Sequence, residues 1–240
     1  MKRIEDGWFS LDGIKCDDVG LRLLEMPKRR KAKMRGDFLT ASGRDGDVWK
    51  SDDAYEAYDI SIKCESADNY DENNVRAWLD GKRELVFSDE PGLVYDTTIR
   101  EYVDFASKYQ RFDTKLVTFV AHVQPFRRIL PAADPITLTA SGFINNPGTA
   151  YSLPKITVRG NGDFSLTINT QTMFFNDVDD GIVLDSELVD AFNLEESLLC
   201  NSNVSGEFFR LQPGMNLISW VPEDGSNVES VTIEPRWRCI

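Results

Sequence analysis

A period of two in the apolar residues limits the fold of this chain more than any other feature. Tyr58, Ile60, Ile62 and Cys64 alternate with Asp59, Ser61, Lys63 and Glu65, which puts one set on each face of an extended strand. Val117, Phe119, Ala121 and Val123 repeat the pattern, and their alternates include Leu116 and Val120, so both faces of this second strand are expected to be covered. One helical pattern lies between them. Asp71 can cap it, Val75, Trp78 and Leu79 form a stripe at i, i+3, i+4, and Gly81 is its expected stop. Leu85-Val86-Phe87 and Leu93-Val94-Tyr95, on either side of Asp89-Glu90-Pro91-Gly92, read as a strand pair that covers the helix.

The segment Leu130-Pro131-Ala132-Ala133-Asp134-Pro135 holds two prolines, which lack a backbone donor, and suits a linker. It predicts two domains, residues 1–133 and 134–240. In the second, Ile156 and Val158, then Phe164, Leu166 and Ile168, flank Gly160-Asn161-Gly162-Asp163, a hairpin signal. Ile182 to Asp185, Phe208 to Leu211, Leu217 to Val221 and Val228 to Ile233 continue a series of short strands with no long helix. That rhythm predicts a β-sandwich or jelly roll, and a mainly β chain throughout.

Composition narrows the function. With 240 residues, 41% apolar and 11% aromatic, the chain can bury a core, which excludes disorder. A net charge of −13 disfavours broad adhesion to nucleic acid or to anionic membrane. No apolar stretch approaches the roughly 20 residues of a membrane-spanning helix. Met1-Lys2-Arg3 is followed by Ile4-Glu5-Asp6-Gly7, without the apolar core of a secretory signal, so a soluble protein is expected. Cys16, Cys64, Cys200 and Cys239 form no C-x-x-C pair, so neither a zinc site nor a redox motif is visible. Four free, buried or semi-buried thiols are expected, a single disulfide being the alternative.

Sites for chemistry are scarce. His122 is the one histidine, so any Ser-His-Asp or Cys-His machinery must use it, yet it sits mid-strand and reads as structural. Gly160-Asn161-Gly162 has Ser165 at the third glycine position of a dinucleotide loop and a strand where a helix is required. Asn176, Asp180, Gly181 and Glu187 fall on positions one, five, six and twelve of a calcium loop, but Val178 stands at position three. An acidic turn between strands is the expectation there, a weak cation site the alternative. Nothing singles out a glycosidase pair among 40 acidic residues. No catalytic, cofactor-binding or metal-binding residue is assigned, and a non-enzymatic protein is expected.

The most unusual stretch is Lys28-Arg29-Arg30-Lys31-Ala32-Lys33-Met34-Arg35. Removing its six cations from the 27 leaves 21 against 40 acidic residues, a net −19 for the rest. It follows Pro27 and lacks apolar periodicity, so it reads as a solvated loop between strands. As a functional element, Lys28, Arg29, Arg30, Lys31, Lys33 and Arg35 make an arm that docks on an acidic surface, most simply the next copy of the chain. A loop without a partner is the alternative. A nucleic-acid patch fits less well, because no aromatic residues interleave with the charges.

Trp8-Phe9-Ser10-Leu11-Asp12-Gly13-Ile14, Val19-Gly20-Leu21-Arg22-Leu23, Met26-Pro27 and Gly43-Arg44-Asp45-Gly46 occur in that order before the Tyr58 strand. The order resembles the N-terminal domain of the distal tail protein of long, non-contractile-tailed bacteriophages. Asn146-Pro147-Gly148, Leu153-Pro154-Lys155-Ile156, Ile182-Val183-Leu184-Asp185, Leu211-Gln212-Pro213-Gly214-Met215-Asn216 and Ile233-Glu234-Pro235-Arg236-Trp237-Arg238 are similar to segments of its second half. The resemblance implies a split-barrel-like, ring-forming domain followed by a galectin-like β-sandwich. It also implies a homohexameric ring at the virion tail tip, assembled in the host cytoplasm, that contacts the tail tube protein, the tape measure protein and the tail-tip or baseplate proteins. DNA would pass through such a ring without being read, and no cofactor or membrane insertion is implied. The alternative function is host-glycan binding by the sandwich, with Trp220 and Trp237 as platforms if they are not core residues.

Overall fold

The alternating segments become antiparallel ladders in the computed structural model, which describes residues 7–101, 103–109 and 112–240. Residues 1–6, which carry the reading against a secretory signal, lie outside the described residues. The chain divides into two compact units, Met1–Leu130 with Ile240, and Pro131–Cys239.

The strands of the first unit are β1 (Phe9–Leu11), β2 (Ile14–Lys15), β3 (Leu21–Leu23), β4 (Met34–Thr40), β5 (Asp47–Tyr55), β6 (Tyr58–Ser66), β7 (Gly81–Phe87), β8 (Leu93–Ile99), β9 (Asp104–Tyr109) and β10 (Phe112–Ile129). Its helix α1 spans Glu72–Trp78. The main sheet runs β2-β1-β7-β8-β10-β6-β3, with β9 also on β10. Strand β10 is the spine. One edge pairs β6 from Leu116 to Val123, while the other pairs β9 up to Thr118 and β8 from His122 onward. Val117, Phe119, Ala121 and Val123 are buried, as their spacing predicts, together with Ile60, Ile62 and Cys64 across the ladder. Leu116, Thr118, Val120 and His122 are only half-buried, so the second face of β10 is partly wet where full cover was expected.

Asp71 caps α1, its carboxylate accepting from the Asn73 and Asn74 N–H groups at 2.8 and 3.3 Å. Val75, Trp78 and Leu79 are buried, and the Trp78 ring stacks 5.6 Å from that of Phe9. The helix ends at Trp78, and Gly81 opens β7 at φ 75° instead of closing the helix. The Asp12-Gly13 pair, both at positive φ, makes the two-residue reversal between β1 and β2.

The second unit contains β11 (Ile136–Leu138), β12 (Gly142–Asn146), β13 (Lys155–Ile168), β14 (Gln171–Val178), β15 (Gly181–Asp185), β16 (Asp190–Phe192), β17 (Val204–Gly206), β18 (Gly214–Pro222) and β19 (Asn227–Glu234). They form a β-sandwich of two sheets that share one strand. The first half of β13 sits between β19 and β15, and its second half between β18 and β14. Ile156, Val158, Phe164, Leu166 and Ile168 all point into the core, and Phe164 stacks on Phe175 with ring centres 4.6 Å apart.

The hairpin expected at Gly160-Asn161-Gly162-Asp163 is therefore not there; one strand runs straight through it. The two glycines serve close approach and bulging, not reversal. A Cβ at Gly160 would lie 2.3 Å from the Asn227 carbonyl oxygen, and Gly162 at φ 85° lies under Ser226. The ladder shifts register at both places. Asn161 and Asp163 accept from the Asp180 and Asp177 N–H groups, so the polar residues that signalled a turn brace a neighbouring turn instead. Phe208 to Leu211, expected as a strand, is irregular, with Leu211 bridged to Ser152 and its carbonyl held by the Asn146 side chain at 3.0 Å.

The four cysteines are free, and burial pushes the Cys16 thiol up to about 11. No helix among the described residues is long and apolar enough to cross a membrane.

A partly buried ion pair braces the sandwich. Asp185 accepts from the Glu187 and Leu188 N–H groups and takes both arms of Arg236 at 2.8 Å. Burial disfavours its charge, but the Arg236 and backbone hydrogen bonds outweigh it and hold the carboxyl below the usual range. A lowered folded value means that this stabilisation is complete above about pH 4 and is lost as the pH falls through the folded value. Asp185→Asn should cost about 2 kcal/mol at pH 7. Thermal melts should show that deficit shrinking toward zero below about pH 4.

Candidate docking arm

The basic run begins where Pro27, itself buried, turns the chain out of β3. Residues 27–33 form no regular element, while Met34 and Arg35 already belong to β4. The run is not wholly solvated, in contrast to the sequence reading. Ala32 is buried, and the Arg29 side chain is only 19% exposed. Arg29 takes a two-pronged grip on Asp89, one arm at 2.8 Å, lies 3.3 Å from Glu90, and stands over the Phe87 ring at 5.1 Å. The guanidinium holds the Asp89 carboxyl below the usual carboxylate range.

Asp89 and Glu90 sit in the turn between β7 and β8, which the Glu90-to-Phe87 and Leu93-to-Glu90 backbone bonds close. Glu90 also accepts from the Tyr95 hydroxyl at 2.9 Å and from Arg127 at 3.4 Å. Burial, with the Glu90 carboxylate as acceptor, pushes the Tyr95 phenol up, so it stays a donor. Farther along, Lys33 pairs with Glu56 at 3.6 Å and Arg35 with Asp52 at 4.0 Å. Such exposed pairs are worth little. Arg29, Lys33 and Arg35 are thus engaged within their own unit. Lys28, Arg30 and Lys31 are exposed and have no acidic partner among the described residues.

The run leads into something that the charge pattern does not disclose. Strands β4 and β5 pair only with each other among the described residues, as a two-stranded ribbon with Gly43-Arg44-Asp45-Gly46 at its tip. Phe38 is 69% exposed, Leu39 49% and Trp49 39%. Phe38 and Trp49 are cross-strand partners with rings 4.8 Å apart, and the absence of a side chain at Gly36 makes room for the Trp49 indole. At the base of the ribbon, Tyr55 meets Phe126 edge-on at 5.4 Å. An isolated ribbon is marginally stable in water, and this one presents large apolar side chains. It suits an arm that a partner covers. The one segment bounded by Gly43 and Gly46, flanked by Asp37-Phe38-Leu39 and Val48-Trp49, carries the signal in the sequence.

The remaining singled-out residues lie in or beside strand ladders and turns. His122 Nδ1 lies 2.8 Å from the Asp59 carboxylate, its cross-strand partner. Asn176 to Gly181 form the turn from β14 to β15. No group of three or more His, Cys, Asp or Glu side chains among the described residues is disposed to hold a metal ion. Trp237 is buried, and Trp220 pairs across β13 with the buried Leu166.

No family model and no curated protein matches the sequence. Among solved structures, the chain is similar to SPP1 Dit, described as a paradigm of the hub adsorption apparatus of phages that infect Gram-positive bacteria. The TM-score is 0.71 at 15% identity, over 95% of this chain and 98% of that one. The two share a fold. A chain of the phage p2 baseplate in its activated conformation with Sr aligns at a TM-score of 0.46 and 10% identity over the same shares, too distant a likeness to argue from.

The Arg29 anchor has a measurable consequence. Arg29→Ala should lower stability by about 1 kcal/mol. Limited trypsin digestion should show cleavage at Lys28 and Lys31 accelerating several-fold, because the run is no longer tied to the β7–β8 turn.

Proposed function

We propose that this chain is the subunit of a distal tail hub in a long, non-contractile-tailed phage. Six copies form a ring that joins the tail tube and tape measure protein to the tail-tip or baseplate proteins. DNA crosses the central channel without being read. The observation that carries the reading is the end-to-end likeness of fold to SPP1 Dit, with a TM-score of 0.71 over 95% of this chain. The number six comes from the family resemblance.

The chemistry of the chain supports a structural role. Residues 1–133 supply the ring-forming domain and residues 134–240 a galectin-like sandwich that docks tip proteins. The Lys28–Arg35 run and the ribbon behind it contact the adjacent subunit. A ring is built from heterologous contacts, in which each copy gives one surface and receives on another. An apolar ribbon with no partner strand of its own meets that requirement. The acidic body, net −19 without the run, lines a channel without gripping a polyanion. The reading assigns no catalytic residue.

Sedimentation over a range of concentrations, with class-averaged images of the largest species, tests it. Six-fold rings with a central hole are expected; a monomer at every concentration, or a closed particle without a hole, overturns the reading. Phe38→Ser with Trp49→Ser should weaken ring formation about tenfold or more while leaving the melting of the body unchanged.

A further inference from the structure

Beside the root of the arm lies a cavity of about 360 Å³ within the first unit. Arg29, Arg30, Lys31 and Arg127 line it, with Tyr58 and Tyr95 among its walls. Four cationic side chains therefore face one acidic side chain, Glu90, and the Ile240 carbonyl oxygen, which accepts from Arg127 at 2.6 Å. Glu90 is shared between Arg29, Arg127 and the Tyr95 hydroxyl. Arg30 and Lys31 in its lining are exposed and have no acidic partner among the described residues. In a chain of net −13 this is a preformed concave site for a carboxylate.

We propose that this cavity receives the tip of the β4–β5 ribbon of a second copy, through the carboxylates of Asp45 and Asp47. The proposal rests on the ring reading above and names the contact that closes it. Three observations select this occupant. The tip stands in open space, since a Cβ added at Gly43 or Gly46 would meet nothing within 4 Å, and both glycines hold a left-handed turn. Asp45 and Asp47 are exposed there, Asp47 accepting from Thr40 at 2.9 Å. The third observation is reach. Seven residues of β4 carry the tip about 24 Å from the root of the ribbon, whereas Arg30 and Lys31 directly precede that root. A ribbon of this length cannot return its tip to its own cavity. Donor and acceptor on one unit, set apart by the length of the ribbon, form a head-to-tail pair that another copy satisfies.

A charge-swap mixture tests the proposal. One variant is Arg30→Glu with Lys31→Glu, the other Asp45→Lys with Asp47→Lys; all four side chains are exposed, and unchanged melting curves establish that both variants fold. Each variant alone should associate about tenfold or more weakly than wild type in sedimentation at low salt. An equimolar mixture should recover assembly, because alternating copies then face opposite charges at every contact. Either variant assembling as well as wild type overturns the proposal, as does a mixture that stays apart. Loss of assembly on Asp177→Lys with Asp179→Lys, but not on Asp45→Lys with Asp47→Lys, gives the cavity to the β14–β15 turn and overturns the occupant named here. A wild-type chain that never associates overturns the ring reading itself, a separate result.

Discussion

A strand that changes neighbours along its length must keep one face inward throughout, and each unit of this protein is organised around such a strand. In the first, β10 exchanges β9 for β8 along one edge while β6 holds the other. In the second, β13 leaves β15 and β19 for β14 and β18. Strand β13 passes the change by shifts of register at Gly160 and Gly162, whereas the shifts along β10 lie to either side of its change, which falls between Thr118 and His122. The buried series Val117 to Val123 and Ile156 to Ile168 is the result, and the shorter strands find their places against it.

A few charged contacts set the geometry of the arm. Glu90 lies in a turn that the β7–β8 ladder closes, and it draws in Arg29 and Arg127 from distant points of the chain. Arg29 is thereby taken out of the solvated run and made its anchor. The ribbon beyond it is the opposite case, apolar side chains without a strand to pair with. Phe38 and Trp49 stay exposed because no third strand covers the pair among the described residues.

Much of this was legible in the linear order of residues. Alternation alone located β6 and β10 and the buried face of each, and the Asp71 cap with its apolar stripe located α1. The basic run was legible as a charge anomaly, but its division into anchored and free cations was not. Arg29 and Arg30 are adjacent and chemically identical; only the β7–β8 turn, some sixty residues away, separates their roles. The ribbon was legible only as a glycine-bounded turn, because a strand pattern does not say whether a third strand will join the pair.

The sequence by itself determined a mainly β chain, the inward faces of its principal strands and the restriction of any histidine chemistry to His122, since these follow from local periodicity and from residue counts. Tertiary structure alone decided that Gly160-Asn161-Gly162-Asp163 continues a strand instead of reversing it. Glycine permits both outcomes equally. The choice falls to the Asn227 backbone and the Ser226 side chain pressed against those glycines, and to turns whose N–H groups claim Asn161 and Asp163, and these partners arrive from elsewhere in the chain.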